Sequence, residues 1–318
     1  MSGLADSPSV QIVPADEGAA RAPVRRRRRW PPTLRFDPMA TLFIAPAIVI
    51  VFLVSIYPVF DAAVLSLHRT AYAQKVAFVG LDNFVALFSA RGFWNSAVNA
   101  LIFTTGSLVL VVPLSLGLAL LLDRNVPFRS VTRTVVVLPW VMSQTVVALL
   151  WAWLLNGDFG PLTFLAEQML GHRPAFLSDP TSAMASLVVV NVWASYPQAT
   201  LLLLAAVQTI PQELYESAEV DGAGWRARLV HITLPMIKPT FLVVLIQLTL
   251  LYFNMVTLIY TLTGGGPLGG TETLAVGVMK TSFEDWNLGR GAALGLIITA
   301  VNLLISLVYV KTLRPAGK

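Results

Sequence analysis

Hydrophobic residues occur along this chain in six long blocks separated by polar segments. The blocks cover approximately residues 40–67, 96–122, 131–155, 183–207, 240–263 and 289–313. Each block is long enough for the ~20 residues of helix that cross a bilayer core. The apolar residues run consecutively instead of recurring at amphipathic spacing. The pattern therefore predicts an all-α integral membrane domain of six transmembrane helices over residues 39–318.

Residues 1–38, which precede the first block, are polar and proline-containing, with arginine at every position from 25 to 29. Such a segment cannot bury enough apolar surface to fold, so we expect a disordered tail. Arginines just before a span are typical of an orientation signal or of contact with anionic lipid, which we favour over nucleic-acid binding. The first block exceeds the ~7–15 apolar residues of a cleaved signal peptide, so we expect it to be retained as a span.

The composition is also typical of a protein surrounded by lipid. Hydrophobic residues make up 56% of the chain and charged residues 12%, about half the charged share of a soluble domain. The chain has no cysteine, which excludes a disulfide framework and a cysteine metal site. We predict no metal ion and no other cofactor.

The distribution of lysine and arginine predicts the orientation. With a cytoplasmic N-terminus, sixteen of the 22 basic residues fall on the inner side of the membrane and six on the outer side. Because cytoplasmic segments carry the excess of basic residues, we expect both termini and the polar segment at residues 211–239 to face the cytoplasm.

That polar segment has the pattern of two short helices joined by a turn. Pro211 suits a helix start, because its missing N–H would be unpaired there. Three glutamates follow where the helix dipole favours negative charge, and Gly222 is a good left-handed helix stop. A second amphipathic piece begins at Trp225, and Leu234-Pro235 predicts a bend or an end.

Three short motifs in this segment resemble the EAA loop of ABC-importer permeases: Glu216-Ser217-Ala218, Asp221-Gly222-Ala223 and Ile232-Thr233-Leu234-Pro235. The resemblance implies a cytoplasmic coupling loop, at about residues 208–239 between the fourth and fifth spans, that docks on a separate ATP-hydrolysing subunit. An ordinary amphipathic loop on the bilayer surface is the alternative. The coupling residues implied are Glu216, Ser217, Ala218, Asp221, Gly222, Ala223, Leu234 and Pro235.

A second resemblance lies at residues 263–267, which read Thr-Gly-Gly-Gly-Pro. They resemble the T-x-G-G-P element of sugar-type importers, in the first permease of maltose-like and glycerol-3-phosphate-like systems. This implies a bacterial inner-membrane heterodimer with a second permease, two ATPase subunits and an extracytoplasmic solute-binding protein. Gly264, Gly266 and Gly269 also match the dinucleotide-binding pattern G-x-G-x-x-G, but no β–α–β unit surrounds them.

Catalytic and phosphate-binding motifs are missing from the sequence. It contains no G-x-x-x-x-G-K-[ST] phosphate loop and no G-x-S-x-G elbow. His68, His172 and His231 are isolated, without a second ligand at metal spacing. We therefore expect a permease that is not an enzyme, with ATP hydrolysed by partner subunits.

The spans contain neutral amides and aromatic residues instead of buried charges. A pathway of this kind suits a neutral polyhydroxylated solute, whereas an ion-coupled carrier, the less favoured alternative, usually needs ionisable groups in its spans. An importer of glycerol-3-phosphate or another polar solute is also an alternative, because permeases of the resembling family often carry an aspartate where this chain has Asn254. The candidate pathway residues are Asn191, Trp193, Tyr196 and Gln198 in the fourth block and Gln247, Tyr252 and Asn254 in the fifth.

Overall fold

The computed structural model describes residues 38–72, 74–123 and 129–313. The predicted tail lies outside these residues, apart from Pro38. Contacts divide the chain into two units, Met1–Phe52 and Leu53–Lys318, and the packing discussed below is that of the second. The helices in the described ranges are α1 (Pro38–Val51), α2 (Tyr57–Ser66), α3 (Asp82–Ser89), α4 (Arg91–Asp123), α5 (Arg129–Val141), α6 (Gln144–Leu154), α7 (Pro161–Leu170), α8 (Pro180–Val207), α9 (Gln212–Val220), α10 (Trp225–Arg228), α11 (Leu234–Phe253), α12 (Thr257–Thr263), α13 (Leu274–Met279) and α14 (Leu288–Leu313).

Two kinds of element interrupt this helical pattern. One is a small antiparallel hairpin of β1 (His68–Ala71) and β2 (Gln74–Phe78), which the sequence pattern did not predict. The other is a π-helical turn, which occurs at Phe52–Ile56, Leu229–Thr233 and Lys280–Glu284. The described chain is therefore mostly helical rather than all-α.

Five helical segments in the described ranges are long and apolar enough to cross a membrane: Leu42–Ser66, Arg91–Asp123, Pro180–Val207, Trp225–Phe253 and Leu288–Thr312. Four of them lie at the predicted first, second, fourth and sixth blocks. The segment Trp225–Phe253 overlaps the predicted fifth block only in part.

The third block is not the single continuous helix that hydropathy predicts. It forms α5 and α6, which are bent by 98° at a short break. Pro139 removes a backbone donor near the end of α5, and Ser143 is extended before α6 begins. The described residues therefore hold five candidate spans, or six if the bent pair crosses the membrane once.

The fifth block also differs from its prediction at both ends. The helix does not stop at Leu234-Pro235, because the Leu234 N–H donates to the Leu229 carbonyl five residues back and a π-helical turn carries the chain onward. Such a widened turn leaves room for the Pro235 ring, which would clash with a carbonyl in a regular helix. The helix then ends at Phe253, and α12 begins only at Thr257.

Helices α4 and α8 pack side by side and run in the same direction. A methyl group of Val188 lies against Gly106, and nine residues further along α4 the Ser115 hydroxyl donates to the Tyr196 carbonyl (3.1 Å). Because the contacts advance along both helices together, the starts of both helices lie at one end of the bundle. The ends of both helices, and α9 and α10 after them, lie at the other.

The start of α8 carries a conventional cap. The Asp179 carboxylate accepts the Ser182 backbone N–H (2.9 Å), and this hydrogen bond lowers the pKa of the Asp179 carboxyl. Pro180 occupies the first helical position, where its missing donor is unpaired anyway.

A glycine-rich turn, residues 264–272, packs against the starts of α4 and α8. The Asn99 amide donates to the carbonyls of Gly269 (2.9 Å) and Glu272 (3.0 Å), and the Glu272 carboxylate pairs with Lys280 (3.0 Å). A side chain at Gly270 would place its Cβ 2.5 Å from Pro180. We call this segment the glycine turn. It ties α12 to the end of the bundle opposite α9 and α10.

Candidate functional site

The polar segment after α8 forms the predicted pair of short helices. The Ala223 N–H donates to the Ala218 carbonyl (2.8 Å) and the Gly222 N–H to the Glu219 carbonyl (3.0 Å). These are the two bonds of a Schellman motif, which needs a left-handed residue, and Gly222 has φ +76°. The local geometry at Gly222 is therefore as predicted. We call α9, this turn, α10 and the following π-helical turn the helical hairpin (residues 212–233).

The inner face of the helical hairpin is fixed to the bundle. The Tyr215 hydroxyl lies 2.9 Å from the buried Thr233 hydroxyl, so α9 is joined to the π-helical turn that leads into α11. Tyr215 also packs on a cluster at the end of α8 that includes Val207 and Ile237. The ion pair between Arg228 and Glu219 (3.1 Å) joins α9 to α10. These contacts therefore join α9 to both α8 and α11.

The outer face of the helical hairpin is exposed and mixed in character. Val220 is 90% exposed, and the neighbouring Trp225 ring is exposed with the Arg226 guanidinium above it (5.4 Å to the centroid). Of the eight residues proposed for coupling, five are exposed and three, Ala218, Ala223 and Leu234, are half-buried. The exposed five are Glu216, Ser217, Asp221, Gly222 and Pro235. Val220 and Trp225 had no motif to single them out, because exposure is not visible in a sequence.

A separate cavity of about 210 Å³ lies where α6, α8 and α11 meet. Asn191, Ser195 and Gln198 line it from α8, at the i, i+4 and i+7 spacing of one helical face. Gln144 lines it from the start of α6, directly after the break in the third block. Its wall is completed by apolar and aromatic residues: Pro139, Trp140, Met142, Val147, Ala194, Leu251, Met255 and Leu258.

Asn191 is the most unusual polar group in this cavity. Its side chain is 1% exposed, and its Nδ2 has no hydrogen-bond partner in the described part of the chain. Burying an amide without a partner costs on the order of 1–3 kcal/mol. The neighbouring Ser195 hydroxyl is satisfied, since it lies 2.6 Å from both the Asn191 carbonyl and the Tyr252 hydroxyl. Asn191 thus places one unpaired, buried amide group in the wall of the cavity.

The other predicted pathway residues lie elsewhere. Trp193 packs edge-on against Trp151 (5.6 Å between centroids). Tyr252 is buried behind the cavity wall, edge-on to Phe103. Tyr196 is half-buried, and Gln247 is exposed on α11.

Asn254 forms part of a different polar contact. It follows α11 directly and exchanges amide hydrogen bonds with Asn302 of α14 (3.0 and 3.3 Å). The structure therefore brings Asn191 and Gln198 together in one cavity, and it adds Gln144 and Ser195, which were not among the candidates. Ser195 could have been found from its spacing to Asn191, whereas Gln144 depends on the bend between α5 and α6.

The cavity is electrically neutral. None of the side chains that line it is ionisable, and no group of three or more potential metal ligands occurs in the described ranges. Amide and hydroxyl groups can donate to and accept from solute hydroxyls without the cost of burying a charge. The arrangement can bind a polar uncharged group.

Comparison with known proteins gives the family. The family of binding-protein-dependent transport system inner membrane components matches residues 111–311, a stretch that contains both the helical hairpin and the cavity. The chain belongs to this family. It is a membrane permease component of the ABC-importer type.

Two relatives and one solved structure cover most of this chain. The trehalose/maltose transport system permease protein MalF of Thermococcus litoralis is 36% identical over 86% of this chain and 92% of its own length. The sulfoquinovosyl glycerol transport system permease protein SmoG of Agrobacterium fabrum is 30% identical, over 87% and 90%. A chain of a bacterial ABC transporter that imports the acidic polysaccharide alginate superimposes with a TM-score of 0.77 at 25% identity, covering 89% of this chain and 97% of that one.

Proposed function

We propose that this chain is one of the two permease subunits of an ABC importer for a carbohydrate, and that the helical hairpin couples it to a separate ATPase. The relatives' substrates support a sugar or a related polyol. The observation that carries the proposal is that an exposed helical hairpin is fixed by its inner face to the helices that bound a neutral polar cavity. In such an arrangement, a displacement of the helical hairpin changes the shape of the cavity.

In this mechanism the outer face of the helical hairpin docks on the ATPase. Glu216 and Asp221 supply charge, and Val220 and Trp225 supply apolar area at the docking surface. Closure of an ATPase dimer displaces α9, and the Tyr215–Thr233 contact passes the displacement into α11. Because α8 and α11 both contribute to the cavity, the cavity opens alternately to the two sides of the membrane.

The remaining partners follow from the same proposal. A second permease completes the pathway, because the cavity of this chain is small and lies against the exposed side of α11. An extracytoplasmic binding protein delivers the solute at the end of the bundle that holds the glycine turn. Both termini and the helical hairpin face the cytoplasm, in keeping with the bias of basic residues.

Gly222→Asp tests the coupling step. We expect the variant, purified from membranes with its partner subunits, to lose uptake and solute-stimulated ATP hydrolysis by at least about tenfold while inserting normally, since the change alters a left-handed residue at an exposed docking surface. Gly224→Asp is the matched control, because Gly224 is also open to solvent but has φ −67°. Normal uptake by Gly222→Asp would reject a coupling role for this turn.

Asn191→Leu tests the cavity as the solute site. Losing one amide–hydroxyl bond of about 1–1.5 kcal/mol raises the KM for uptake roughly tenfold. Thermal stability should be equal or higher, because an unpaired buried amide is removed. Gln208→Leu removes an exposed amide directly after α8 that does not line the cavity, and its KM should not change. Equal KM shifts in the two variants would contradict this site.

Two alternatives are less well supported by the residues present. An ion-coupled carrier needs ionisable groups within its spans, whereas α8, the most buried span described, holds no Asp, Glu, Lys or Arg. A glycerol-3-phosphate importer would place a cation near the phosphate, and no lysine or arginine lines the cavity. Competition by glycerol-3-phosphate, but not by neutral disaccharides, for binding-protein-dependent uptake would favour that alternative.

A further inference from the structure

Helix α3 is held to the bundle by one face and exposes a divided surface on the other. Asn83 is buried and donates to the carbonyls of Ser66 (2.7 Å) and His68 (3.0 Å), and Leu87 packs on a cluster of the bundle. The helix is therefore fixed in orientation. On its exposed side, the polar residues Asp82 and Ser89 lie next to each other on the helical wheel, beside the apolar group of Val85, Phe88 and Leu81.

The apolar part of this surface is large for a water-facing helix. Leu81, Val85 and Phe88 recur at i, i+4 and i+7 spacing, and Val85 at their centre is 60% exposed. A short surface helix in water normally turns its apolar stripe to the core. In α3 a second apolar stripe faces away from the protein.

This stripe continues onto the membrane span α4. The Trp94 indole N–H donates to the Phe88 carbonyl (2.9 Å), and the two rings lie 6.4 Å apart. From Trp94 an exposed apolar row continues along α4 through Val98 and Leu101. Because α4 is long and apolar enough to cross a membrane, we expect its exposed row to contact the bilayer, and the surface of α3 extends that row without a break.

The position along the membrane normal also fits a lipid boundary. Trp94 lies in the first turn of α4, at the end of the bundle opposite the helical hairpin. An indole with its N–H bonded and its ring exposed at the end of a span is typical of the aromatic belt at the membrane surface. We call Leu81, Val85, Phe88 and Trp94 the aromatic patch. None of its members is charged, whereas the exposed charges Asp82 and Arg91 lie at its edges.

We propose that α3 lies flat in the headgroup region of the membrane leaflet opposite the helical hairpin, with the aromatic patch among the lipid acyl chains and Asp82 and Ser89 toward water. The partner of this surface is thus the phospholipid leaflet. An amphipathic helix in this position buries its apolar face ~5–10 Å below the headgroup boundary. It would hold the outer ends of α2 and α4 at a fixed depth while the helices around the cavity move.

The absence of cysteine from the chain allows a direct test. The complex with its partner subunits is reconstituted in phosphatidylcholine nanodiscs, with a nitroxide label on Val85→Cys, Phe88→Cys or, as the matched control on the same helix, Ser89→Cys. Collision rates with molecular oxygen and with a water-soluble nickel chelate report membrane depth. The complex without an introduced cysteine gives the labelling background of the partner subunits.

The two patch positions should show an oxygen-to-nickel ratio on the order of tenfold above that at Ser89, as expected for side chains ~5–10 Å inside the leaflet. Equal nickel access at all three positions would overturn the proposal. So would protection of Val85 and Phe88 that arises only when the extracytoplasmic binding protein is added, because the patch would then be a protein docking surface.

Discussion

The helical hairpin and the glycine turn are both glycine-containing polar segments at the ends of the same bundle, yet they are built in opposite ways. Around Gly222 no atom outside the immediate chain lies within 4 Å of a Cβ position, whereas a Cβ at Gly270 would collide with Pro180. The hairpin exposes its motif residues. The glycine turn instead uses its backbone, with Asn99 and the fully buried Thr271 bonded to its carbonyls.

The difference separates two uses of a short motif. A glycine that no neighbour crowds is needed for its own backbone conformation and leaves the surrounding surface free for a partner. A glycine pressed against another element is needed for its missing side chain, which lets two segments approach. Substituting a glycine of the first kind should reduce coupling to the ATPase, and substituting one of the second kind should lower the stability of the fold.

The largest expected effect is on stability at the glycine turn. Gly270→Ala forces the chain away from Pro180 and should lower the free energy of unfolding by about 1–3 kcal/mol, the usual cost of overpacking. Gly117→Ala adds the same atom in α4, where a Cβ meets nothing, and should change stability by no more than about 1 kcal/mol. Thermal unfolding midpoints in detergent measure both. Equal midpoints would show that the contact with Pro180 relaxes freely.

A charge at each exposed tip should distinguish the two ends functionally. Val220 and Leu268 are 90% and 97% exposed, so Val220→Asp and Leu268→Asp should leave the unfolding midpoint unchanged. Only Val220→Asp should weaken binding of the purified ATPase subunits to the permease, by roughly tenfold or ~1.4 kcal/mol of docking energy. A matching loss with Leu268→Asp would mean that exposure alone does not mark the coupling surface.

The smallest expected effect concerns the link between the helical hairpin and α11. Tyr215→Phe removes the hydroxyl that contacts Thr233 and should lower the free energy of unfolding by about 1 kcal/mol. It should also reduce the amount of solute moved per ATP hydrolysed. Tyr309→Phe removes a comparable hydroxyl, which lies 3.1 Å from Thr249 between α14 and α11. Tyr309→Phe should lower the free energy of unfolding by a similar amount without changing the amount of solute moved per ATP hydrolysed. If both variants change the ratio alike, the Tyr215 contact is not a specific transmission point.

Local features of the fold could be predicted because they depend on neighbours in the chain. The Schellman turn needs bonds that reach back at most five residues, so Gly222 and the helix before it suffice to specify it. Four of the six apolar blocks likewise correspond to long helices, since hydropathy over about 20 residues measures compatibility with lipid directly.

Two of the incorrect predictions concern breaks inside apolar runs. The third block bends between Pro139 and Gln144, so that α5 packs on α8 while α6 packs mainly on α12. The fifth block breaks at Asn254, whose amide pairs with Asn302, 48 residues away in the sequence. Hydropathy is the same for a straight and a broken helix, so neither break can be detected from it. Gln144 of the cavity was missed for the same reason.

The sequence by itself determined that this is a helical membrane permease of the ABC-importer family, with a helical hairpin after the fourth apolar block whose first helix ends at a glycine. These features could be predicted because lipid compatibility, helix ends and motif spacing each depend on residues that are close together in the chain. Only the tertiary structure decided which polar groups meet. Asn191, Gln198 and Gln144 share a cavity because the chain bends sharply between α5 and α6. The glycine turn packs on the start of α8 because Gly270 has no side chain to collide with Pro180. Contacts between residues far apart in the chain depend on how the helices pack, and that packing is a property of the whole bundle.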